Sequence, residues 1–153
     1  MVIGLISDTH GLVRPEVFTA LEGVELILHA GDVGGGSVLH QLRTIAPVSA
    51  VYGNIDSPGE PGLAASIDLE IEGHTVHVSH GHELGSPTSE KLLARYTAAV
   101  IVYGHTHKSL IERAGNRLVL NPGAAGPKRF NLKPSVARMT LKTGGIEVAI
   151  VWL

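Results

Sequence analysis

The sequence contains no cysteine among its 153 residues. Disulfides, thiolate zinc sites, iron–sulfur clusters and cysteine nucleophiles are therefore excluded. Aromatic residues are also scarce, with two Phe, three Tyr and one Trp. A surface that stacks successive bases needs more aromatic side chains than this, so the composition argues against binding of long nucleic acids.

Neither sign of charge is in excess, because 12 Lys and Arg nearly balance 14 Asp and Glu. The chain therefore carries no basic footprint for nucleic acid or an anionic membrane. No apolar run approaches the roughly 18 residues of a membrane span, and Asp8 follows a short apolar start that has no basic residue. We expect a cytoplasmic protein without membrane contact, and residues 1–153 fit a single domain.

Short apolar segments alternate with helical patterns in the first half of the chain. The predicted strands and helices, in chain order, are strand 2–7, helix 14–21, strand 24–30, helix 37–45 and strand 48–52. Ser37 is the predicted N-cap of the second helix. This βαβαβ order predicts parallel strands joined by right-handed crossovers, followed by a loop over residues 53–62.

The second half reads mostly as strands. It comprises a hairpin of strands 66–71 and 75–79, a helix over 88–96, a strand over 99–103, and strands over 110–113, 118–120, 136–141 and 146–152. Nine or ten strands would make a very wide single sheet. We therefore predict an α/β fold with two packed sheets flanked by helices.

Polar side chains follow five of the apolar strands. They are Asp8 and His10, then Asp32, then Asn54 and Asp56, then His80 and His82, and finally His105 and His107. Ligand sites of α/β sheets lie at the carboxyl ends of strands. A single Asp or His at a strand end is more often a turn residue or cap, but five such blocks together are not explained in that way.

Carboxylate, imidazole and amide ligands suit divalent transition metals. There are too many candidate ligands for one tetrahedral ion, which takes about four. Two ions that share one carboxylate fit better, and such pairs serve phosphatases and nucleases. Two divalent ions, two aspartates and a hydroxide leave a positive remainder that suits a phosphate ester.

The five blocks resemble, in their order, the motifs of the calcineurin-like metallophosphoesterases. The segment Asn121-Pro122-Gly123 and the short chain resemble the small prokaryotic, YfcE-like phosphodiesterase branch, and the resemblance covers roughly residues 7–129. It implies a four-layer α/β/β/α sandwich with a metal site at the carboxyl ends of the strands. It also implies in-line attack on phosphorus by a hydroxide that bridges two metal ions.

The same resemblance implies the ligands. The first ion would be held by Asp8, His10, Asp32 and His107. The second ion would be held by Asp32, Asn54, His80 and His105, with Asp32 as the bridge. Mn²⁺ is the expected metal, with Fe²⁺, Zn²⁺, Ni²⁺ and Co²⁺ as alternatives.

Two positions depart from the family pattern. Ile55 stands where many members carry a histidine that protonates the leaving group, so His82 is our candidate for that role and Asp56 is expected to orient a ligand or water. Ala124 stands where this branch often has serine. Arg129 is the candidate clamp for a phosphate oxygen.

Three further functions stay open at this point. They are a phosphomonoesterase with the same metals, a nuclease acting on small nucleotides, and a non-catalytic interaction module like the retromer subunit that shares this fold. We expect a small phosphate ester or nucleotide as the substrate and leave homo-oligomerisation open. His29 is predicted to make a buried hydrogen bond, whereas His40, His74 and His77 are expected on the surface or in the sheets.

Overall fold

The computed structural model describes all 153 residues, and strands dominate it. The strands are β1 (Val2–Ile6), β2 (Leu26–His29), β3 (Val48–Val51), β4 (Leu63–Ala64), β5 (Ile67–Ile71), β6 (His74–Val78), β7 (Val100–Val102), β8 (Leu110–Ala114), β9 (Arg117–Asn121), β10 (Ser135–Lys142) and β11 (Gly145–Trp152). The helices are α1 (Pro15–Ala20), α2 (Gly36–Leu42) and α3 (Ser89–Arg95), with one 3₁₀ turn at His82–Leu84.

The strands form two mixed sheets. The first has six strands in the order β11-β10-β1-β2-β3-β4, in which β1 to β4 are parallel and β10 and β11 are antiparallel. The second has five strands in the order β5-β6-β7-β9-β8, with β6, β7 and β9 parallel. The parallel strand β7 lies at the centre of the second sheet, and its three apolar residues are buried on both faces.

Three apolar clusters define four layers. Ile3, Leu28, Val78 and Val102 belong to the cluster between the two sheets. A second cluster packs α1 and α2 on the outer face of the first sheet, and a third packs Leu92 of α3 on the outer face of the second. The predicted α/β/β/α sandwich is therefore confirmed.

The predicted boundaries of α2 were wrong at both ends. The N-cap is Gly35, at φ 116°, and no side chain caps the helix, so Ser37 lies inside its first turn. Gly35 precedes the helix in a backbone conformation that residues with a Cβ rarely adopt. The helix therefore begins after a glycine and not after a serine cap. After Leu42 the chain makes tight turns through residues 43–45 instead of a further helical turn.

The short strand β4 was not predicted. Its two residues pair in parallel with Ala50 and Val51 of β3 and extend the first sheet by one strand. Two residues carry no periodic pattern, so only the tertiary pairing defines this strand. The α-helices have at most seven residues, and no helix of the molecule has the length and apolar character needed to cross a membrane.

Candidate metal centre

Five loops meet where the parallel strands of the two sheets end. In the first sheet, the loop after β1 carries Asp8 and His10, the loop after β2 carries Asp32, and the loop after β3 carries Asn54. The loops after β6 and β7 carry His80, and His105 and His107, from the second sheet. Strands that run in the same direction bring their carboxyl ends to one edge, which places these side chains together.

Asp8 is fully buried and is held by one oxygen only. Its Oδ2 accepts from Ser7 Oγ at 2.8 Å and from the backbone N–H of His105 at 3.1 Å. Its Oδ1 is buried without a hydrogen-bond partner and faces Nε2 of His107 at 3.3 Å. The hydrogen bonds fix the carboxylate and leave its second oxygen directed at the imidazoles.

The two carboxylate oxygens of Asp32 likewise have different contacts. Its Oδ1 accepts from the backbone N–H of Ile55 at 3.1 Å. Its Oδ2 lies 3.5 Å from Nε2 of His10 and 3.4 Å from Nε2 of His80. One oxygen of Asp32 therefore lies between a histidine from each sheet, as a bridging ligand must.

Four ligand atoms, from Asp8, His10, Asp32 and His107, lie within 4.8 Å of one another. Three buried atoms of this cluster, Asp8 Oδ1, His10 Nε2 and His107 Nδ1, have no hydrogen-bond partner. Buried polar atoms are nearly always satisfied, so their convergence needs an explanation. A divalent cation supplies one, and this cluster fits such an ion.

A second group of donors lies on the other side of Asp32. His80 places Nδ1 2.7 Å from the carbonyl of Ala30, so Nδ1 donates and Nε2 keeps its lone pair for a metal. Asn54 Oδ1 lies 3.1 Å from His80 Nε2 and 3.2 Å from His105 Nδ1. Turning the amide would place its NH₂ against the same atoms. A cation favours the oxygen-inward orientation, because oxygen is the ligand atom.

Five of these candidate ligands occupy the left-handed region of backbone space. The residues and their φ angles are Asp8 at 53°, His10 at 44°, Asp32 at 53°, His105 at 71° and His107 at 63°. Such angles cost non-glycine residues energy and cluster at functional sites. Asp and His tolerate this region better than most residues, so the residue types alone are a weak indication of these angles.

The burial of these groups shifts their pKa values. Burial lowers the pKa of His10, and the positive charge of Arg129 lowers it further, against the carboxylates of Asp32 and Asp8. Burial opposes ionisation of Asp32, but its contacts with His80, the backbone N–H of Ile55 and His10 together outweigh burial and lower its pKa to about 2. Burial lowers the pKa of His80, yet Asp32 and Asp8 raise it on balance. The centre thus favours ionised carboxylates.

Asp56 fastens two of the ligand loops to each other. Its carboxylate accepts from the backbone N–H groups of Gly53 at 2.9 Å, Val33 at 3.0 Å and Gly34 at 3.0 Å. Gly53 precedes Asn54 and Val33 follows Asp32. The side chain therefore sets the spacing between these two ligand loops through the backbone.

The remaining predicted residues lie around the rim. The His82 ring centroid is 5.3 Å from that of His80 and 6.4 Å from that of His105. Nδ1 of His82 has no hydrogen-bond partner. Ile55 is half exposed next to Asn54. Arg129 is exposed, in the loop that follows Gly126.

Sequence reasoning missed two residues that support the centre. Ser7 holds Asp8, as described above. Asn121, at the end of β9, donates from Nδ2 to the carbonyl of Gly104 and to Thr106 Oγ1, both at 3.1 Å. The amide thereby fixes the loop that carries His105 and His107. The available signal was a polar residue that ends a buried strand.

Two of the histidines outside the ligand cluster are buried. His29 is fully buried and hydrogen-bonded, as predicted, with Thr9 Oγ1 2.9 Å from its Nε2. His77 lies in β6, where Tyr96 stacks on it with the ring centroids 3.8 Å apart. Its Nδ1 lies 2.9 Å from Asp68 Oδ1.

Comparison with known proteins agrees with this site. The chain belongs to the calcineurin-like phosphoesterase superfamily, whose domain model matches residues 1–144. It is 39% identical over 161 residues to a probable metallophosphoesterase of Methanothermobacter thermautotrophicus, covering 99% of this chain and 92% of that protein. It is 30% identical over 157 residues to the phosphodiesterase YfcE of Escherichia coli, covering 86% and 83%.

The fold is also shared with solved structures. Wild-type Vps29 of Entamoeba histolytica, in complex with zinc, superposes with a TM-score of 0.81 at 24% identity, covering 99% of both chains. The family and its relatives support a phosphoester hydrolase that uses divalent metal, consistent with the Asp and His cluster.

Proposed function

We propose that this protein is a phosphodiesterase with two divalent metal ions. The observation that carries the proposal is the convergence of candidate ligand atoms on both sides of Asp32, whose Oδ2 lies 3.5 Å from His10 Nε2 and 3.4 Å from His80 Nε2. Asp8, His10, Asp32 and His107 would hold one ion, and Asp32, Asn54, His80 and His105 the other. When bound, such ions lower the pKa of an attacking water and offset the negative charge of the phosphate.

The chain's own residues would orient the substrate and the ligands. Arg129 is close enough to His10 for its positive charge to lower the pKa of that histidine. Its guanidinium would contact a non-bridging phosphate oxygen. Asp56 would keep the loops of Asp32 and Asn54 at a fixed separation, because its three accepted hydrogen bonds span both. Neither residue would take part in making or breaking bonds, which would involve only the ions and water.

The preference for diesters follows from the leaving group. Ile55 provides no proton at the position beside Asn54, so protonation falls to another residue or is unnecessary. We assign it to His82, whose ring lies beside His80 and His105 and whose Nδ1 accepts or donates no hydrogen bond within the protein and lies 4.0 Å from Glu83 Oε2. The diester preference also agrees with the relatives that are named phosphodiesterases.

The test is hydrolysis of bis-p-nitrophenyl phosphate by the purified protein with Mn²⁺. We expect turnover that chelation removes, and we expect Asp32→Ala to abolish it because both ions lose a ligand. Asp68→Ala is the matched control, since Asp68 is exposed and contacts His77 rather than the centre. Undiminished turnover in Asp32→Ala would contradict the metal mechanism.

Metal content and substrate preference separate the remaining alternatives. Elemental analysis of the Mn²⁺-saturated protein should find two ions per chain, and one ion would contradict the dinuclear centre. Higher kcat/KM for p-nitrophenyl phosphate than for the diester would favour a phosphomonoesterase. The proposal includes Mn²⁺ as the working metal, a small substrate and a cytoplasmic location.

A second candidate is a protein-interaction module, which the likeness to Vps29 favours. All seven ligand positions of this chain nonetheless carry metal-competent side chains in converging geometry, which a scaffold alone does not require. Absence of turnover with every divalent metal, together with a tight protein partner, would support the module over the enzyme.

A further inference from the structure

A loop beside the centre, residues 127–133, is anchored to the residues that follow β1. We call it the rim loop. The preceding residues Ala125 and Gly126 donate their N–H groups to the carbonyls of Ser7 at 3.0 Å and Asp8 at 3.2 Å. Arg14 Nε also donates to the carbonyl of Gly126 at 2.9 Å. A Cβ at Gly126 would lie 2.1 Å from the Thr9 carbonyl, so only glycine fits there.

The rim loop carries a concentration of positive charge. Between Glu112 and Glu147 the chain has no acidic residue and seven of its 12 Lys and Arg. Four of the seven have partners, because Arg113, Arg117 and Arg138 donate to backbone carbonyls and Lys142 pairs with Glu147. The other three all lie in the rim loop: Lys128, Arg129 and Lys133.

These three cations have neither a carboxylate nor a hydrogen-bond acceptor of the protein as a partner. Lys133 Nζ lies over the Trp152 ring, 5.9 Å from its centroid. Unpaired cations beside a proposed phosphate site raise the local concentration of anionic ligands. The rim loop therefore suits an anionic substrate.

Phe130 stands at the tip of the rim loop in an unfavourable position. It is 90% exposed and has a φ of 54°, in a turn closed by the N–H of Leu132 donating to the carbonyl of Arg129 at 3.1 Å. Neither the exposure of an aromatic ring nor this backbone angle stabilises the free protein. A role in binding accounts for both.

We propose that the rim loop selects phosphate esters that carry a nucleobase, with the base stacked on Phe130 and the phosphate contacted by Arg129. This inference rests on the proposed function and names its substrate class. A nucleotide joins an anionic phosphate to a planar aromatic group, which matches an arginine and a phenylalanine on consecutive residues. A protein partner fits less well, because Phe130 is the one large hydrophobic side chain exposed in the rim loop, and lysines, an arginine and an asparagine surround it.

The test compares the binding of 5′-AMP and ribose 5-phosphate by calorimetry, with Mn²⁺ and again with EDTA. The two ligands differ only in the base. We expect AMP to bind roughly ten-fold more tightly, as stacking on one aromatic side chain allows. Phe130→Ala should remove this difference and Phe130→Tyr should retain it. Phe18→Ala, a change of a partly exposed phenylalanine on α1, is the matched control and should retain it too.

Equal affinities in the unaltered protein, or an unchanged ratio in Phe130→Ala, would overturn the inference. Turnover of bis-p-nitrophenyl phosphate separates this outcome from failure of the proposed function. Base discrimination without turnover would contradict the phosphodiesterase and support the nucleotide site. Turnover without base discrimination would do the reverse.

Discussion

His29 is held in its neutral form by the groups around it. The N–H of Gly31 donates to Nδ1 at 3.1 Å, and Thr9 Oγ1 donates to the carbonyl of Val33 at 2.7 Å. Nε2 must therefore carry the proton and donate to Thr9. Complete burial lowers the pKa of His29 to about 4, against attraction from nearby carboxylates.

This neutral histidine predicts a loss of stability in acid. Because the folded pKa lies below the unfolded one, the contribution is complete above about pH 6.5 and disappears as the pH falls through about 4. The loss amounts to about 3 kcal/mol at most. Urea unfolding in EDTA at several pH values measures it, and His29→Gln should flatten the dependence. His40→Gln, on the exposed side of α2, should leave it unchanged, and an equal slope in His29→Gln would contradict the assignment.

At the scale of single residues, the ligand types were predictable and their support was not. Asp8, His80 and His105 stand out because polar side chains end apolar strands. Two of the three hydrogen bonds of Asp56, by contrast, join loops that are more than twenty residues apart. No local pattern encodes such a contact, so only the folded chain reveals it.

Close approach of the ligand loops is set by glycines at the strand ends. A Cβ on Gly53 would lie 2.1 Å from Asp32 Oδ1, and one on Gly104 would lie 2.0 Å from Ser7 Oγ. Neither residue needs a positive φ, so the requirement is for space alone. These glycines allow loops from separate strands to touch.

We therefore expect Gly53→Ala to displace Asp32 and weaken metal binding. Mn²⁺ affinity, measured by calorimetry, should fall by roughly ten-fold or more, because the bridging carboxylate must move away from the added methyl. Gly59→Ala is the matched control, since nothing lies within 4 Å of its Cβ position. Equal affinities for the two variants would refute the steric argument.

The central elements were predictable because their apolar runs are long relative to their turns. Strands β1, β2 and β7 all lie within the ranges predicted from the sequence. Strand β4 and the ends of α2 were not predictable, since each depends on pairing or on glycine geometry rather than on periodicity.

Both sheets contribute ligands, so binding of metal would link them. Asp8, Asp32 and Asn54 come from the first sheet, and His80 and His105 come from the second. The sheets also contact each other through a buried apolar cluster and a few hydrogen bonds, such as that of Arg113 to the carbonyl of Ile146. Any ion that holds ligands of both sheets would stabilise their packing directly.

Metal binding should therefore raise the thermal stability of the whole molecule. At a free concentration about 100-fold above Kd, one site adds about 2.7 kcal/mol, which corresponds to an increase in Tm of roughly 5–10 °C. Calorimetric melting with Mn²⁺ and with EDTA measures the difference. Asp32→Ala should respond far less, and a full response in that variant would contradict the shared carboxylate.

The number of sheets could be predicted from the strand count, but the order of the strands within each sheet could not. Strand β10 lies between β11 and β1, so residues near opposite ends of the chain pair, as Val2 does with Thr140. Strand β9 likewise lies between β7 and β8. Such pairings carry no local sequence signal, because strands that are distant in the chain are joined only in the folded state.

The left-handed angles at five ligands have a consequence for the history of the fold. Each costs about 1 kcal/mol relative to glycine. In a lineage that no longer needs to bind cations, glycine at these positions would increase stability. These side chains would therefore be among the first to be lost. Their survival in a sequence then marks a chain under continued selection for chemistry, and their loss marks a chain kept for its shape.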